Sequence, residues 1–182
     1  MVTRGNIPDI FARYRESGGD IGSRGRHGSD GRAGAWSHPD AERLRAAQRS
    51  ELDARYGSDD HEPGVIPSAD DVPVFLVARE ESGLAIVCGG LRPLDPAVLG
   101  TDVAEIKRMY AAPSARGTGA AVALLRALEG EARLLGIRSL VLETGTAQPD
   151  AVRFYEREGY GPIPLFGHYI GSGLSLCFAK SL

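Results

Sequence analysis

The chain has 182 residues, a length that fits one domain with a small appendage. Its apolar fraction of 42% and its charged fraction of 25% are typical of a globular protein. A net charge of -3 gives no bulk attraction to nucleic acid or to an anionic membrane, so we expect neither as a partner. No apolar run approaches the roughly 18 residues of a membrane-spanning helix.

The two cysteines, Cys88 and Cys177, lie far apart inside apolar segments. They form neither a C-x-x-C pair nor a metal-ligand spacing. We therefore expect reduced core residues and no bound metal. Together with a polar N-terminus that lacks the apolar region of a signal peptide, this predicts a cytoplasmic protein.

The first part of the chain is rich in glycine and arginine. From Gly19 to Gly34 a glycine stands at every third position. Because this composition cannot bury a core, residues 1–35 are predicted to form a flexible tail, and residues 36–182 an ordered domain. The one candidate strand in the tail, residues 7–14, is interrupted by Pro8 and Asp9.

A helix is predicted to open the ordered domain. Ser37 and Asp40 resemble a capping box, and apolar or amphipathic side chains then recur every four residues to Tyr56. Residues 57–71 form an acidic loop. Two apolar runs, 72–78 and 84–91, flank a turn and predict a β-hairpin.

The rest of the chain alternates strands and helices. Residues 104–110 predict an unusually charged strand, and residues 119–135 the clearest helix. The apolar stripe of that helix is expected to contain Ala121, Leu125, Leu128, Ala132 and Leu135. A buried strand at 139–143, a helix at 149–158 and two strands within 160–179 complete an α/β chain with a mixed sheet.

The turn at 116–121 connects the charged strand to the clearest helix. Gly117 and Gly119 allow backbone N–H groups to approach a ligand closely. The start of a helix carries unpaired N–H donors and a partial positive charge, and Arg116 adds a full one. These features predict an anion site suited to a pyrophosphate, with a plain glycine-containing connection as the alternative.

Two other phosphate-binding motifs fit this turn less well. A P-loop requires Gly-Lys-Ser/Thr, where Thr118-Gly119-Ala120 stands. A Rossmann turn requires a third glycine where Val122 stands, and residues 111–116 make a long connection for it. Glu143 would serve as the ribose-binding acid, so a Rossmann-type nucleotide binder stays open as an alternative.

Three segments carry a resemblance to a known family. Arg116-x-x-Gly119-x-Ala121 resembles the [Q/R]-x-x-G-x-[G/A] pyrophosphate signature of the GNAT superfamily of N-acetyltransferases. Ala104-Glu105-Ile106 and the run AVRFYEREGY at 151–160 resemble two further motifs, and the likeness covers residues 40–180. It implies a mixed, mostly antiparallel sheet flanked by helices, with acetyl-CoA as co-substrate and a small-molecule amine as acceptor. A homodimer stays open.

The resemblance also implies roles for individual residues. Tyr155 would protonate the departing thiolate, and Glu105 would take the proton of the amine, with Glu143 or a water as alternative bases. A purely structural role is the alternative for Tyr155 and for Glu105: Tyr155 would be a tyrosine packed in the core, and Glu105 would form a salt bridge with Lys107 or Arg108. The strand at 106–110 would pair with the pantetheine arm, and the turn would hold the pyrophosphate, so the expected cofactor-binding residues are Met109, Tyr110, Arg116, Gly117, Thr118, Gly119, Ala120 and Ala121.

Two further features bear on the acceptor. Residues 162–169, which include His168, are expected near its pocket by resemblance. Carboxylates of the loop after the first helix would attract a cationic amine, although a solvated loop is the alternative. The acidic residues concerned are Asp59, Asp60, Glu62, Asp70 and Asp71. A CoA-binding module without turnover is the alternative function.

Overall fold

The structure, a computed structural model, describes residues 36–58, 64 and 66–182. The predicted tail at 1–35 lies outside the described residues, as do Asp59, Asp60 and Glu62. Within the described part the chain forms α1 (Pro39–Tyr56), β1 (Val74–Arg79), β2 (Ala85–Pro93), α2 (Pro96–Leu99), β3 (Val103–Ala111), α3 (Ala120–Leu134), β4 (Ser139–Gly145), α4 (Pro149–Arg157), β5 (Gly161–Ile163) and β6 (Ser175–Ser181).

The described strands form one sheet of six strands, in the order β1-β2-β3-β4-β6-β5. Strands β3 and β4 are parallel, and every other neighbouring pair is antiparallel. Each face of the sheet has its own core: on β3, Ala104 and Ile106 join the core beneath α3, and Val103 joins a core with Phe166 and Tyr169. The predicted mixed, mostly antiparallel sheet flanked by helices is confirmed.

The N-cap of helix α1 lies one residue after the predicted cap, Ser37. The capping side chain is His38, whose Nδ1 accepts a hydrogen bond from the Asp40 N–H at 3.2 Å. Pro39 has no N–H to offer, so Asp40 provides the first available donor. The prediction of a capping box at Ser37 is therefore wrong. The helix ends at Gly57, which has a φ of 67°.

Helix α3 buries a stripe that overlaps the predicted one. Leu124, Leu125, Leu128 and Ala132 are fully buried. Leu135, which was expected in the stripe, lies beyond the last turn and is 43% exposed. The core accepts these side chains because they share the helix face that packs on the sheet, whereas Leu135 lies past the last helical residue.

Both cysteines lie in the core as free thiols, as predicted. Burial raises the pKa of the Cys88 thiol to about 12 and that of Cys177 to about 11. Such thiols stay protonated at neutral pH and are unreactive. Among the described helices, none combines the length and apolar character needed to cross a membrane.

Candidate active site

Strands β3 and β4 separate halfway along their length. Their parallel pairing runs from Val103 opposite Ser139 to Ile106 opposite Leu142 and stops there. Beyond Ile106, β3 stays paired with β2 to Ala111, and β4 stays paired with β6 to Gly145. The result is a wedge-shaped gap in the middle of the sheet, open towards the end where the charged strand finishes.

A β-bulge accompanies this separation. Cys88 pairs with Tyr110 and Gly90 with Lys107, so two residues of β3, Arg108 and Met109, face Gly89 alone. Arg108 has a φ of 55°, a backbone conformation that is uncommon for a residue other than glycine. Because a bulge bends the strand that carries it, β3 turns away from β4 at the point where the gap opens.

The gap holds a small inner cavity of about 90 Å³. Its walls come from both strands and from the helices on either side of the sheet. Glu143 and Thr144 contribute from β4, and Lys107 and Met109 from β3; Gln48 and Tyr56 reach in from α1, and Tyr155 from α4.

The inner cavity opens into a larger cleft of about 460 Å³ between α1 and α4. This volume lies within the usual range for a small-molecule site. The two cavities share several lining residues, which form the neck between them: Gln48, Leu52, Met109, Gln148, Ala151 and Tyr155. The cleft then continues past Tyr110 and Phe154 to Arg116 and Gly117.

The turn at 116–121, which the sequence predicts to bind a pyrophosphate and which we call the phosphate turn, forms the far end of the cleft. Gly117 has a φ of 75° and Gly119, the N-cap of α3, a φ of 90°, and a Cβ added at either would meet nothing within 4 Å. Thr118 closes the turn on itself, because its hydroxyl donates to the Ala115 carbonyl at 2.7 Å and accepts from Ala120 N–H at 3.3 Å. The open backbone fits an approaching phosphate group.

Arg116 is held at this end by a carboxylate of α1. Its Nη2 lies 2.5 Å from Oε2 of Glu51, and its Nε donates to the Ala111 carbonyl at 3.2 Å. Glu51 also accepts from Arg55 at 2.9 Å. Burial raises the pKa of Glu51, but the hydrogen bonds from Arg116 and Arg55 outweigh it and hold that pKa below its usual value. The guanidinium and the carboxylate therefore form an ion pair at this end of the cleft.

Tyr155 lies at the neck. Its side chain is buried, and its hydroxyl donates to Sδ of Met109 at 3.4 Å. Burial, with a smaller contribution from the negative charge of Glu143, raises its pKa well above the usual range. The phenol is therefore protonated at any physiological pH and has a proton to give.

Glu105 lies on a different side of β3 and lines neither cavity. It is fully buried, and both of its oxygens are occupied: Oε2 by Arg92 at 2.5 Å, and Oε1 by the Tyr169 hydroxyl at 2.6 Å and Lys107 at 3.3 Å. The structure thus shows the salt bridge that was the alternative reading of this residue. Glu143, the other carboxylate considered as a base, lines the inner cavity.

The remaining predicted residues are distributed between the two ends of the site. Met109, Tyr110, Arg116, Gly117 and Ala121 line the cleft. The segment 162–169 approaches the gap through Tyr169, whose hydroxyl accepts from Lys107 at 2.7 Å. Among the described residues no cluster of His, Cys, Asp or Glu could hold a metal ion.

The wall formed by α1 was not anticipated as part of the site. The four-residue spacing of Leu44, Gln48, Leu52 and Tyr56 predicts a packing stripe, and only Leu44 is fully buried. The others line the gap, and the Tyr56 hydroxyl accepts a hydrogen bond from the Ala147 N–H at 3.3 Å. The polar side chains of Gln48 and Tyr56 within this stripe are the feature of the sequence that could have indicated a binding site.

Comparison with known proteins agrees with this geometry. Residues 38–160 match the model of the Acetyltransferase (GNAT) family. The chain belongs to this family. Its GNAT domain includes α1, the gap between β3 and β4, the phosphate turn and α4.

Three known proteins are similar to this chain. An IAA acetyltransferase of Azospirillum brasilense is 38% identical over 59% of this chain and 67% of its own length. A crystal structure from Klebsiella pneumoniae, assigned as an acyl-CoA N-acyltransferase, is 32% identical with a TM-score of 0.65, covering 81% of this chain and 93% of that one. A protein of Bacillus anthracis assigned as a streptothricin acetyltransferase, crystallised with acetyl coenzyme A, shares the fold at 16% identity and a TM-score of 0.51, over 59% and 61% of the two chains.

These findings establish the enzyme class. The chain is a GNAT N-acetyltransferase, and the family uses acetyl-CoA for acyl transfer. Two further curated relatives are matched over 56% and 49% of their lengths, so the likeness there spans about half of each protein. The acceptor does not follow from family membership.

Proposed function

We propose that this enzyme transfers the acetyl group of acetyl-CoA to a primary amine of a small molecule by direct attack. The observation that carries the proposal is the continuous path from the phosphate turn, through the neck at Tyr155, into the gap between β3 and β4. The cofactor would lie along the cleft with its arm reaching into the gap, so that its thioester and the amine meet beside Tyr155.

The cleft fits a phosphate-bearing cofactor with a long arm. Arg116 and the N–H groups around Gly117 and Gly119 would hold the pyrophosphate, and Met109 and Tyr110 would flank the arm. The bound cofactor supplies the thioester carbonyl that is attacked. Arg55 and Arg157 also line the cleft and add positive charge for the phosphates.

Tyr155 is proposed as the acid. As the C–S bond breaks, sulfur carries the electron pair away as a thiolate, and the buried phenol at the neck is placed to hydrogen-bond or protonate it. A thiol has a pKa near 8.5, below that of the buried phenol, so a hydrogen bond from Tyr155 stabilises the departing thiolate before any proton passes. The raised pKa keeps the phenol protonated as a donor and excludes its acting as a base at neutral pH.

The proton of the attacking amine needs a separate acceptor. The geometry favours Glu143, or a water beside it, because Glu143 lines the inner cavity. Glu105 is less suited, since Arg92, Lys107 and Tyr169 already occupy its two oxygens. In this proposal Glu105 is a structural residue, whose contacts connect β3 to the turn that contains Tyr169.

A cationic amine is the proposed acceptor. Asp70 and Asp71 are exposed, and hydrogen bonds from Ser68, with a smaller contribution from Arg92, hold the pKa of Asp71 below its usual value. Together with the acidic residues outside the described part, they would raise the local concentration of an ammonium substrate. An IAA-type acceptor, suggested by the Azospirillum relative, is the competing choice.

The deciding experiment measures CoA release with a panel of polyamines, amino sugars, neutral amines and IAA, at low and high salt. Preference for cations that weakens with salt supports the proposal. Equal activity on neutral or anionic acceptors without salt dependence contradicts it. Binding of CoA without turnover of any member of the panel would also contradict the proposed acceptor class.

The proposed setting is the cytoplasm, supported by two buried thiols that form no disulfide. The proposed catalytic unit is residues 36–182, whose described part lines the cleft. A homodimer is compatible with the proposal, and light scattering of the purified protein decides it.

A further inference from the structure

Two buried polar atoms in the inner cavity have no hydrogen-bond partner among the described residues. They are Oε1 of Gln48 and Oγ1 of Thr144. Thr144 is only 5% exposed, and both residues line the same cavity of about 90 Å³. Buried polar groups are nearly always partnered, and leaving one unpaired costs stability. Two such atoms facing one cavity indicate a polar ligand group that fits between them.

The orientation of Gln48 is set by its other contact. Its Nε2 donates to the Met109 carbonyl at 3.0 Å, and a carbonyl can only accept, so the amide nitrogen must face Met109. Oε1 is then the atom that remains, and it can only accept. The side-chain amide of Gln48 therefore pairs with the Met109 carbonyl of β3 at the bulge and presents its own oxygen, Oε1, as the next acceptor.

Thr144 has the complementary chemistry. Its hydroxyl can donate, and it lies on β4, on the other side of the gap from β3. An acceptor-only atom and a donor therefore face one cavity. A secondary amide, which carries one N–H and one C=O, satisfies both. A primary amine offers hydrogen-bond donors and a single lone pair, and this lone pair is needed for attack.

We infer that Gln48 and Thr144 bind an amide group of the pantetheine arm of CoA. Gln48 Oε1 accepts from the amide N–H, and Thr144 Oγ1 donates to the amide carbonyl. The inference rests on the proposed function, because it takes CoA as the occupant of the cleft. Both residues are positioning residues that hold the arm where its thioester end reaches Tyr155.

The test uses Thr144→Val and Gln48→Met, which keep side-chain volume and remove the polar atoms. Calorimetry compares CoA with 3′-phosphoadenosine 5′-diphosphate, which has the phosphates and lacks the arm. Each variant should weaken CoA binding about 3- to 10-fold, the worth of one hydrogen bond, and leave the affinity for the nucleotide unchanged. Thr101→Val, at an exposed position, is the matched control and should change neither affinity.

A second readout uses the free protein. Removing an unpaired buried hydroxyl should leave the melting temperature of Thr144→Val equal to or above that of the wild type, whereas the increase in melting temperature that CoA produces should shrink. A merely structural threonine would lower the melting temperature of the free protein and leave CoA affinity unchanged, and this result overturns the inference. So does an unchanged CoA affinity with a raised KM for the amine, which would assign the pair to the acceptor.

The wild-type protein separates this inference from the proposed function. Wild type that binds CoA and turns over no amine contradicts the proposed function, while weaker CoA binding by the two variants still supports the inference. Wild type that acetylates amines, with CoA affinity equal in wild type and variants, contradicts the inference alone. Wild type that does not bind CoA overturns both.

Discussion

The hydroxyl of Tyr155 donates to the Sδ atom of Met109 at 3.4 Å and so connects α4 to the bulged end of β3. A thioether sulfur is a weak acceptor, so this hydrogen bond is easily exchanged for one to a better partner. The phenol is buried and protonated, at the junction of the two cavities. Tyr155 can therefore exchange Met109 for a ligand atom as its hydrogen-bond acceptor with little movement of its side chain.

Replacing Tyr155 with phenylalanine should therefore reduce turnover selectively. We expect kcat to fall by about 10- to 1000-fold, a range that overlaps the usual contribution of an acid or base, with little change in CoA affinity. Steady-state kinetics and calorimetry measure the two quantities. Tyr160→Phe is the control, because its hydroxyl reaches Glu129 at 3.3 Å and should affect stability more than kcat. Wild-type turnover by Tyr155→Phe would assign the tyrosine to packing.

Gly119→Val should abolish CoA binding while the fold survives. Gly119 has a φ of 90°, and its backbone faces open space where the phosphate is expected. The backbone strain of a β-branched residue there costs about 1–3 kcal/mol. Gly136→Val is a matched control, because Gly136 has a φ of 78° in equally open space at the other end of α3. Equal CoA affinity in both variants would remove the phosphate role from Gly119.

Glu51→Gln should strengthen CoA binding. The carboxylate lies 2.5 Å from Arg116, so a phosphate has to compete with it for the guanidinium. Removing the charge releases Arg116 from a partly exposed pair worth about 0.5–1 kcal/mol, which predicts an affinity gain of about two- to five-fold. Calorimetry at low salt measures it. Glu80→Gln, at an exposed position of the hairpin, is the control, and weaker binding by Glu51→Gln would show that Glu51 supports the site.

Glu129→Gln should destabilise the protein most at neutral pH. Glu129 is buried on α3 and accepts from Lys180 and from Arg126, each at 2.8 Å. Burial raises its pKa, but these hydrogen bonds outweigh it and lower the pKa below the usual value. We expect a loss of about 1–3 kcal/mol in the free energy of unfolding.

The pH dependence gives this prediction its sign. A carboxyl group with a lowered folded pKa stabilises the protein above its unfolded pKa, about 4.3, and the stabilisation is lost as pH falls through the folded value. Urea unfolding of wild type and Glu129→Gln should therefore differ at pH 7 and converge at acid pH. Glu156→Gln, on the exposed face of α4, should differ from wild type at neither pH.

A chain that begins at Ala35 should retain kcat/KM. Trp36 is buried against Phe75, with ring centroids 5.1 Å apart, and the Arg45 guanidinium lies 3.9 Å above its ring, so the described domain is anchored from this residue onward. The composition of residues 1–35 predicts no contribution to a core. A loss of kcat/KM in the shortened chain, measured against the full-length enzyme, would assign the tail a part in the sheet or the acceptor pocket.

Local patterns were sufficient for most of the fold. The hairpin, the charged strand, helices α3 and α4 and the order of elements all follow from periodicity and from glycine or proline at the ends of elements. The position of the turn at 116–121 was also predictable, because glycines before a helix have a local meaning that does not depend on distant residues, whereas its binding of phosphate stays a prediction. The cap of α1 was missed because Ser37 and His38 both precede the helix and both carry a side-chain acceptor. The Asp40 N–H, which donates to His38, decides between them.

The amino-acid sequence by itself determined the elements, their order and the family signature, since these depend on residues close together in the chain. Only the tertiary structure decided which side chains meet. It brings Gln48 of α1 to Thr144 of β4 at one cavity, and it engages Glu105 with Arg92 and Tyr169 while Glu143 faces the gap. The physical reason is the bulge at Arg108: it bends β3 away from β4, and the register of that separation depends on pairing across the whole sheet.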